Sequence, residues 1–474
     1  VINPKLDKRT IFVIFIFIVL FGVGFFLTEQ SLEKSFFILF SLLLWLLIFL
    51  LKRDLVLASL LYILIVLPFN ITLQVPGSVE IFNTEILLSS PFVSGIYVNY
   101  LVPTISILDI GLTLFLLSVT LERGFKFYTN ILRDWRNGVL ILIVFLILQN
   151  IFLNNFLAVL NSVRLVGVIL SIYSTITIFK GRYLKYFISA LGVIFIVNTV
   201  IQGIIGIKQF LGGSSLGLLF LGESQVVSGM QGSSFIELGG QLFLRAYGTF
   251  PHPNVLAGYL ILSVVIGIIL WRENRFISVL LILLSSVSLI FTFSRICILL
   301  LFLICAIFIL KSLFKGREIF FSFSPLLFLE RFTNVFVGGD SGWQDRINLL
   351  RSSWEVVKRN WFLGVGIGNY VKAMEDFVPR TKKGILLTQP VHNVLMLILS
   401  EIGVIGLMIY IYTFLSLIIL NVKRWNYLKI LVLLSILIIG SFDHYLFSLP
   451  QGLIIFLLFI VIVCMDLESL YENE

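Results

Sequence analysis

Apolar runs of about 15 to 30 residues follow one another along most of this chain, separated by short basic stretches, and no other feature limits its fold so strongly. In hydrocarbon every backbone N–H and C=O must find a partner within the protein, and a helix of about 20 apolar residues achieves this while crossing the bilayer core. The composition agrees, with 59% hydrophobic and 12% charged residues, against about 45–50% and about 25% in a soluble domain. A soluble enzyme is excluded. The chain reads as an all-α polytopic membrane protein with roughly 12–14 transmembrane helices and a small extracytoplasmic helical subdomain. Spans are expected near 11–27, 36–51, 55–69, 104–120, 138–153, 156–179, 186–210, 254–270, 276–293, 296–311, 391–420, 430–446 and 448–465.

The basic residues orient these spans. The first run follows Lys5, Lys8 and Arg9 and lacks a small-residue cleavage site, so it is expected to be a retained span. The segment 319–329 is short and contains Pro325, yet parity requires a crossing there. With that crossing, the short loops on the amino-terminal side hold 20 Lys and Arg residues, while those on the opposite side hold Lys34, with Arg295 at a span edge. The positive-inside rule then places the amino terminus in the cytoplasm. Much of the formal charge of +9 is thereby a topology signal, and nucleic acid loses its support as a partner. Segments 70–103, 211–253 and 330–390 are expected outside; loops of this size cross largely regardless of their charge. Within the last, Ile347, Leu350, Trp354 and Val357 recur at helical spacing among Arg346, Arg351, Lys358 and Arg359, the pattern of an amphipathic helix on the lipid interface.

Cys297, Cys305 and Cys464 all lie in apolar runs and offer neither a disulfide framework nor metal-ligand spacing. The ionisable residues near the spans say more, because each costs about 2.5–3.5 kcal/mol inside hydrocarbon. Arg245 opens RAYGTFPHPN just before a span, Arg295 follows Ser294 between two spans, His392 and Asn393 open the span after the large loop, and Asp443 and His444 end another. Each alone has an ordinary reading as a snorkelling arginine, a helix cap or a solvated carboxylate. Together they deliver cations, an imidazole and a carboxylate to one face. Projected on a helix beginning at His392, Leu399, Gly403 and Gly406 fall beneath the histidine and Glu401 points away, leaving a groove for a neighbouring helix or an isoprenoid tail. Arg164, about 12 Å into its span, either snorkels or contacts a lipid phosphate. Asp109 and Lys208 read as structural. The glycines of Gly364-Val-Gly366-Ile-Gly368 lack the βαβ setting of a phosphate loop, and Glu375-Asp376 reads as a solvated face rather than a cation site.

Taken together, RAYGTFPHPN at 245–254, Ser294-Arg295, NWFLGVGIGNY at 360–370 and the spacing of His392, Asn393, Gly403 and Gly406 resemble the O-antigen ligase and polymerase family of bacterial membrane glycosyltransferases. Asp443, in DHYLFSLPQG, resembles that family's acidic position near the end of the chain. The resemblance runs from about 198 to 453. It implies transfer of a glycan from an undecaprenyl-pyrophosphate carrier to a glycan, lipid or protein acceptor, without metal or cofactor, at the outer face of the bacterial cytoplasmic membrane. It also implies that Arg245 and Arg295 bind the pyrophosphate and that His392 is catalytic, with Asn393, Asp443, Arg346 and Arg164 as candidate substrate contacts. The chemistry fits those residues: paired guanidinium groups stabilise a diphosphate leaving group, and a neutral imidazole accepts a hydroxyl proton. In this reading 1–197 are amino-terminal transmembrane helices, 198–465 the ligase-like catalytic region and 466–474 a cytoplasmic tail. Ligase, polysaccharide polymerase and protein O-oligosaccharyltransferase share these motifs. The rival from another class, a transporter or flippase for lipid-linked sugars, requires ionisable groups in both halves of the membrane path.

Overall fold

The computed structural model of the chain describes residues 32–75, 78–81, 84–87, 90–180, 182–230, 232–314, 341–381 and 384–466. The expected spans at 11–27 and 319–329 lie outside the described residues, as does most of the tail. Thirteen long helices carry the described fold: α1 (Leu32–Lys52), α2 (Leu55–Val66), α3 (Ile107–Arg123), α4 (Val139–Leu153), α5 (Phe156–Ile178), α6 (Arg182–Gly212), α7 (Pro253–Leu270), α8 (Arg275–Thr292), α9 (Arg295–Phe314), α10 (Ser341–Asn360), α11 (Val394–Asn421), α12 (Tyr427–Phe442) and α13 (Pro450–Cys464). Five of them, including α5, α6, α7 and α11, are long and apolar enough to cross a membrane, and the molecule is a multi-pass membrane protein. Each expected span within the described residues falls on one of these helices.

The helix starts are written locally. Asp54, Asn155, Asn274, Asn393 and Asn426 cap their helices by accepting a backbone N–H in the first turn. Ser106 and Asp109 form a reciprocal capping box at the start of α3. Pro253 opens α7, where its missing N–H costs nothing.

Helix α7 is apolar on every side, which marks a helix surrounded by others rather than one facing lipid. All 18 of its residues are buried, against α6, α8, α9, α12 and α13. Small residues let backbones approach: Gly203 of α6 lies against Ser288 of α8, and Gly267 of α7 against Ile282 of α8. Two short antiparallel pairings, 72–74 with 104–106 and 235–238 with 241–244, tie down the longer connections.

One expectation needs correction and two are refined. Helix α11 begins at Val394, so His392 precedes its cap, and Gly403 breaks it with φ +67° and ψ −176°. A continuous helical projection from His392 therefore fails. Of the two uses weighed for these glycines, seating a neighbouring helix holds at Gly406, which lies against Phe145 of α4, while Gly403 lies against the backbone of Phe362 and Gly364 instead of a helix. Helix α10 buries Leu349, Ser352, Ser353 and Val356, whereas Leu350 and Trp354 face outward. Of the expected stripe, Leu350 and Trp354 are exposed, as a helix lying on the lipid interface requires, whereas Ile347 is half-buried and Val357 buried, and α10 also packs against α11.

Candidate active site

The turn carrying Arg245 is held from behind by two glutamines of α6. Gln209 Oε1 accepts the N–H groups of Tyr247 and Gly248, and its amide donates to Gly248 O and to Glu223. Gln202 accepts the Thr249 N–H, and Thr249 Oγ1 in turn donates to Pro68 O. Gly248 has φ +61°, and a Cβ there would collide with Gln202, so this tight turn needs glycine. Both glutamines are fully buried. Two amides seven residues apart in an apolar helix were the available signal for this clamp, and the motif reading passed over it.

Arg245 leaves this turn with its Nε donating to Thr292 O at 2.7 Å and its Nη2 donating to Asn254 Oδ1 at 2.7 Å. Asn254 Nδ2 donates to Asp443 Oδ2 at 2.7 Å, and the His444 N–H donates to Asp443 Oδ1 at 2.8 Å. His392 Nδ1 lies 3.5 Å from the same Oδ1. That separation is just beyond a good hydrogen bond, and Nδ1 is buried with no other partner among the described residues. The four residues thus make one chain, guanidinium to amide to carboxylate to imidazole, from three separate segments.

Burial pushes the Arg245 guanidinium down to about 10, and Arg346 and Arg295 add repulsion that Tyr247 and Asp443 oppose. It remains a cation at neutral pH, with Arg346 also in the cavity wall, and a guanidinium that keeps unused N–H groups there suits an anionic ligand. His252 caps α7: its Nδ1 accepts the Asn254 N–H at 3.1 Å, so Nε2 carries the proton donated to Ser234 Oγ at 2.9 Å. Burial, with Arg245 nearby, pushes its imidazole down to about 3, keeping it neutral.

Arg245, Asn254, Arg346 and His392 line one cavity of about 1610 Å³, with Arg164 and Glu401 also in its wall. The other sequence candidates stand apart in instructive ways. Arg295 starts α9 beside Arg245 and acts on its charge, but it is outside the cavity lining. Asn393 is also outside; its Oδ1 caps α11 and its Nδ2 donates to Ser441 O, so both ends of the amide are engaged. Arg164 is held bidentately by Asp109 at 2.7 and 2.8 Å and also donates to Thr104 O and Asn161. It neither snorkels nor presents an open fork. Glu401, expected to point away, also lines the cavity: His392 precedes the helix, so its direction does not follow the helical projection.

The glycine string closes this region from below. Gly364, Gly366 and Gly368 all have positive φ, and the loop pairs with the bent helix through Val365 N to Ser400 O, Gly366 N to Glu401 O and Val404 N to Trp361 O. Its amides bind the protein itself rather than phosphate. Glu375 pairs with Lys372, and Asp376 with Arg359, as expected of a solvated face.

No curated protein matches the chain. Residues 254–411 match the family described as O-antigen ligase, a stretch that holds Asn254, Arg295, Arg346, His392 and the Gly403 bend. Over those residues the chain is similar to the O-antigen ligases.

Proposed function

We propose that the protein transfers a glycan from an undecaprenyl-pyrophosphate carrier to an acceptor hydroxyl at the outer face of the cytoplasmic membrane. The observation that carries this reading is the chain from Arg245 through Asn254 and Asp443 to His392, of which Arg245, Asn254 and His392 line one cavity. At about 1610 Å³ the cavity exceeds the roughly 300–1,000 Å³ typical of drug-sized ligands, as an oligosaccharide requires. Arg245 and Arg346 receive the diphosphate, and Arg295 adds to the field from behind. Among the described residues Arg245 retains three N–H groups for this after its two protein bonds. Arg164 has one left, so its part is to hold the wall.

The acceptor oxygen attacks the anomeric carbon as the bond from that carbon to the phosphate oxygen breaks. His392 takes the hydroxyl proton, and Asp443 stabilises the imidazolium, drawing in from 3.5 Å as charge develops. The leaving undecaprenyl pyrophosphate gains negative charge beside fixed guanidinium groups. Asn393, by capping α11, fixes where His392 leaves the loop. Basic loops on the amino-terminal side support the outer-face placement.

Protein in lipid nanodiscs, given a pyrophosphate-linked glycan and an acceptor, is expected to release undecaprenyl pyrophosphate as the acceptor gains the glycan. Movement of the lipid-linked glycan across vesicles without a new glycosidic bond would sink the enzyme reading. His392, Asp443 and His444 also present ligand atoms within 4.8 Å of one another, a spacing a cation could use. Three neighbouring arginines oppose one, so turnover is expected to survive a chelator; loss with chelator and recovery with a divalent ion would replace the base with a metal.

A further inference from the structure

Part of the cavity wall comes from residues outside the segment shared with the family. Tyr97, Asn99 and Tyr100 all line it, and the two tyrosines are 48% and 39% exposed. The residues that 70–104 contributes to the lining are all uncharged, so this wall is neutral where the Arg245 side is cationic. Amides continue it: Gln451 Nε2 donates to Asn70 Oδ1 at 2.8 Å, while Gln451 Oε1, in a residue only 1% exposed, has no partner among the described residues. Open aromatic faces carry partial negative charge that attracts the C–H face of a sugar ring. Amides both donate and accept, as a ring of hydroxyls requires.

The tyrosines are held in place before any ligand arrives. Phe92 pairs with Tyr97 and Val93 with Ile96 across a turn at Ser94 and Gly95, both with positive φ. The tip is pinned to the segment after the glycine string, with the Ser94 N–H donating to Glu375 at 2.7 Å and Lys372 Nζ donating to Phe92 O at 2.9 Å. A platform already ordered loses little entropy on binding. It also adjoins the reacting groups: the Tyr100 ring meets the His444 ring edge-on at 5.8 Å, and His444 lies 5.3 Å from His392.

We propose that Tyr97, Asn99 and Tyr100 form the subsite for a pyranose ring of the acceptor, so that the acceptor is a saccharide rather than a protein hydroxyl. The assignment to the acceptor rests on His392 serving that side in the function proposed above.

The probe is the repeat-unit oligosaccharide released by mild acid from the source cell's own envelope polysaccharide. Its affinity is read by saturation-transfer NMR on protein in nanodiscs, which needs no turnover, and its KM by transfer from a pyrophosphate-linked donor. Y97A and Y100A are each expected to weaken the oligosaccharide about tenfold, with Y97F near wild type and the donor KM unchanged. Unchanged oligosaccharide affinity in a Y97A/Y100A double variant that still binds donor would overturn the subsite, as would a loss confined to the donor. Tyrosine-dependent binding without any glycosyl transfer would retain the saccharide site and sink the enzyme reading; transfer to a saccharide independent of both tyrosines would do the reverse.

Discussion

Asp443 is the residue on which both halves of the site meet, since Asn254 ties it to Arg245 and its other oxygen faces His392. D443N keeps the size and the backbone contact but removes the charge that stabilises an imidazolium. Turnover is expected to fall at least about 100-fold with donor KM within a few fold; wild-type turnover in a folded D443N protein would remove Asp443 from the mechanism. His252 makes a different forecast, for stability. Its unfolded imidazole titrates near 6.5 and its folded one near 3, because burial disfavours the cation and Nδ1 is already accepting the Asn254 N–H. Above 6.5 neither state is protonated and this group's contribution is intact. As pH falls the unfolded chain takes up a proton that the folded one refuses, so stability declines, with a slope approaching about 1.4 kcal/mol per pH unit from this group. H252N retains a capping acceptor but does not titrate there, and unfolding followed from pH 7 to 4.5 should show a shallower acid limb. Parallel curves for the two proteins would show that the cap does not carry the effect.

At the scale of elements, helix existence was legible because long apolar runs allow little else in a bilayer, and starts were legible wherever an asparagine, aspartate or serine supplied a cap. The bend in α11 was not. Its cause is non-local: the loop at 361–366 inserts its own backbone against Ser400 to Val404, and only a glycine at 403 tolerates φ +67° with the Phe362 carbonyl so close. Spacing within one helix cannot reveal a partner contributed by another segment. For the same reason Arg245 and His392 were legible as chemistry, while the Asn254 bridge emerged only from packing, and the two buried-helix amides Gln202 and Gln209 were visible in the sequence without the turn they hold. G403A is therefore expected to destabilise the protein by about 2 kcal/mol or more, through both the backbone conformation and the lost approach. G384A is the control, since φ is +79° there too but the space is open, and its cost should be about 1 kcal/mol or less. Equal losses in thermal unfolding of the two variants would show that the inserted loop contributes nothing beyond local strain.

For the whole molecule the two kinds of sequence signal must agree. Charge bias alone assigns sides to loops, and the chemistry-bearing residues alone converge on one cavity; neither was derived from the other. In the described fold the cavity draws on 97–100, 245–254, 346 and 392, all from segments that the charge argument puts on the same side. Had the site been assembled by chance from span ends, residues from both sides would be expected. The agreement supports the outer-face placement, and labelling tests it. Glu237, exposed beside the turn of the 235–244 hairpin, and Lys126, exposed in the short helix after α3, should lie on opposite sides. In a background lacking the native cysteines, E237C is expected to react with a membrane-impermeant maleimide in intact cells and K126C only after the membrane is opened. The reverse pattern would place the arginines and His392 in the cytoplasm, where a carrier-linked glycan awaiting transfer outside the membrane would never meet them.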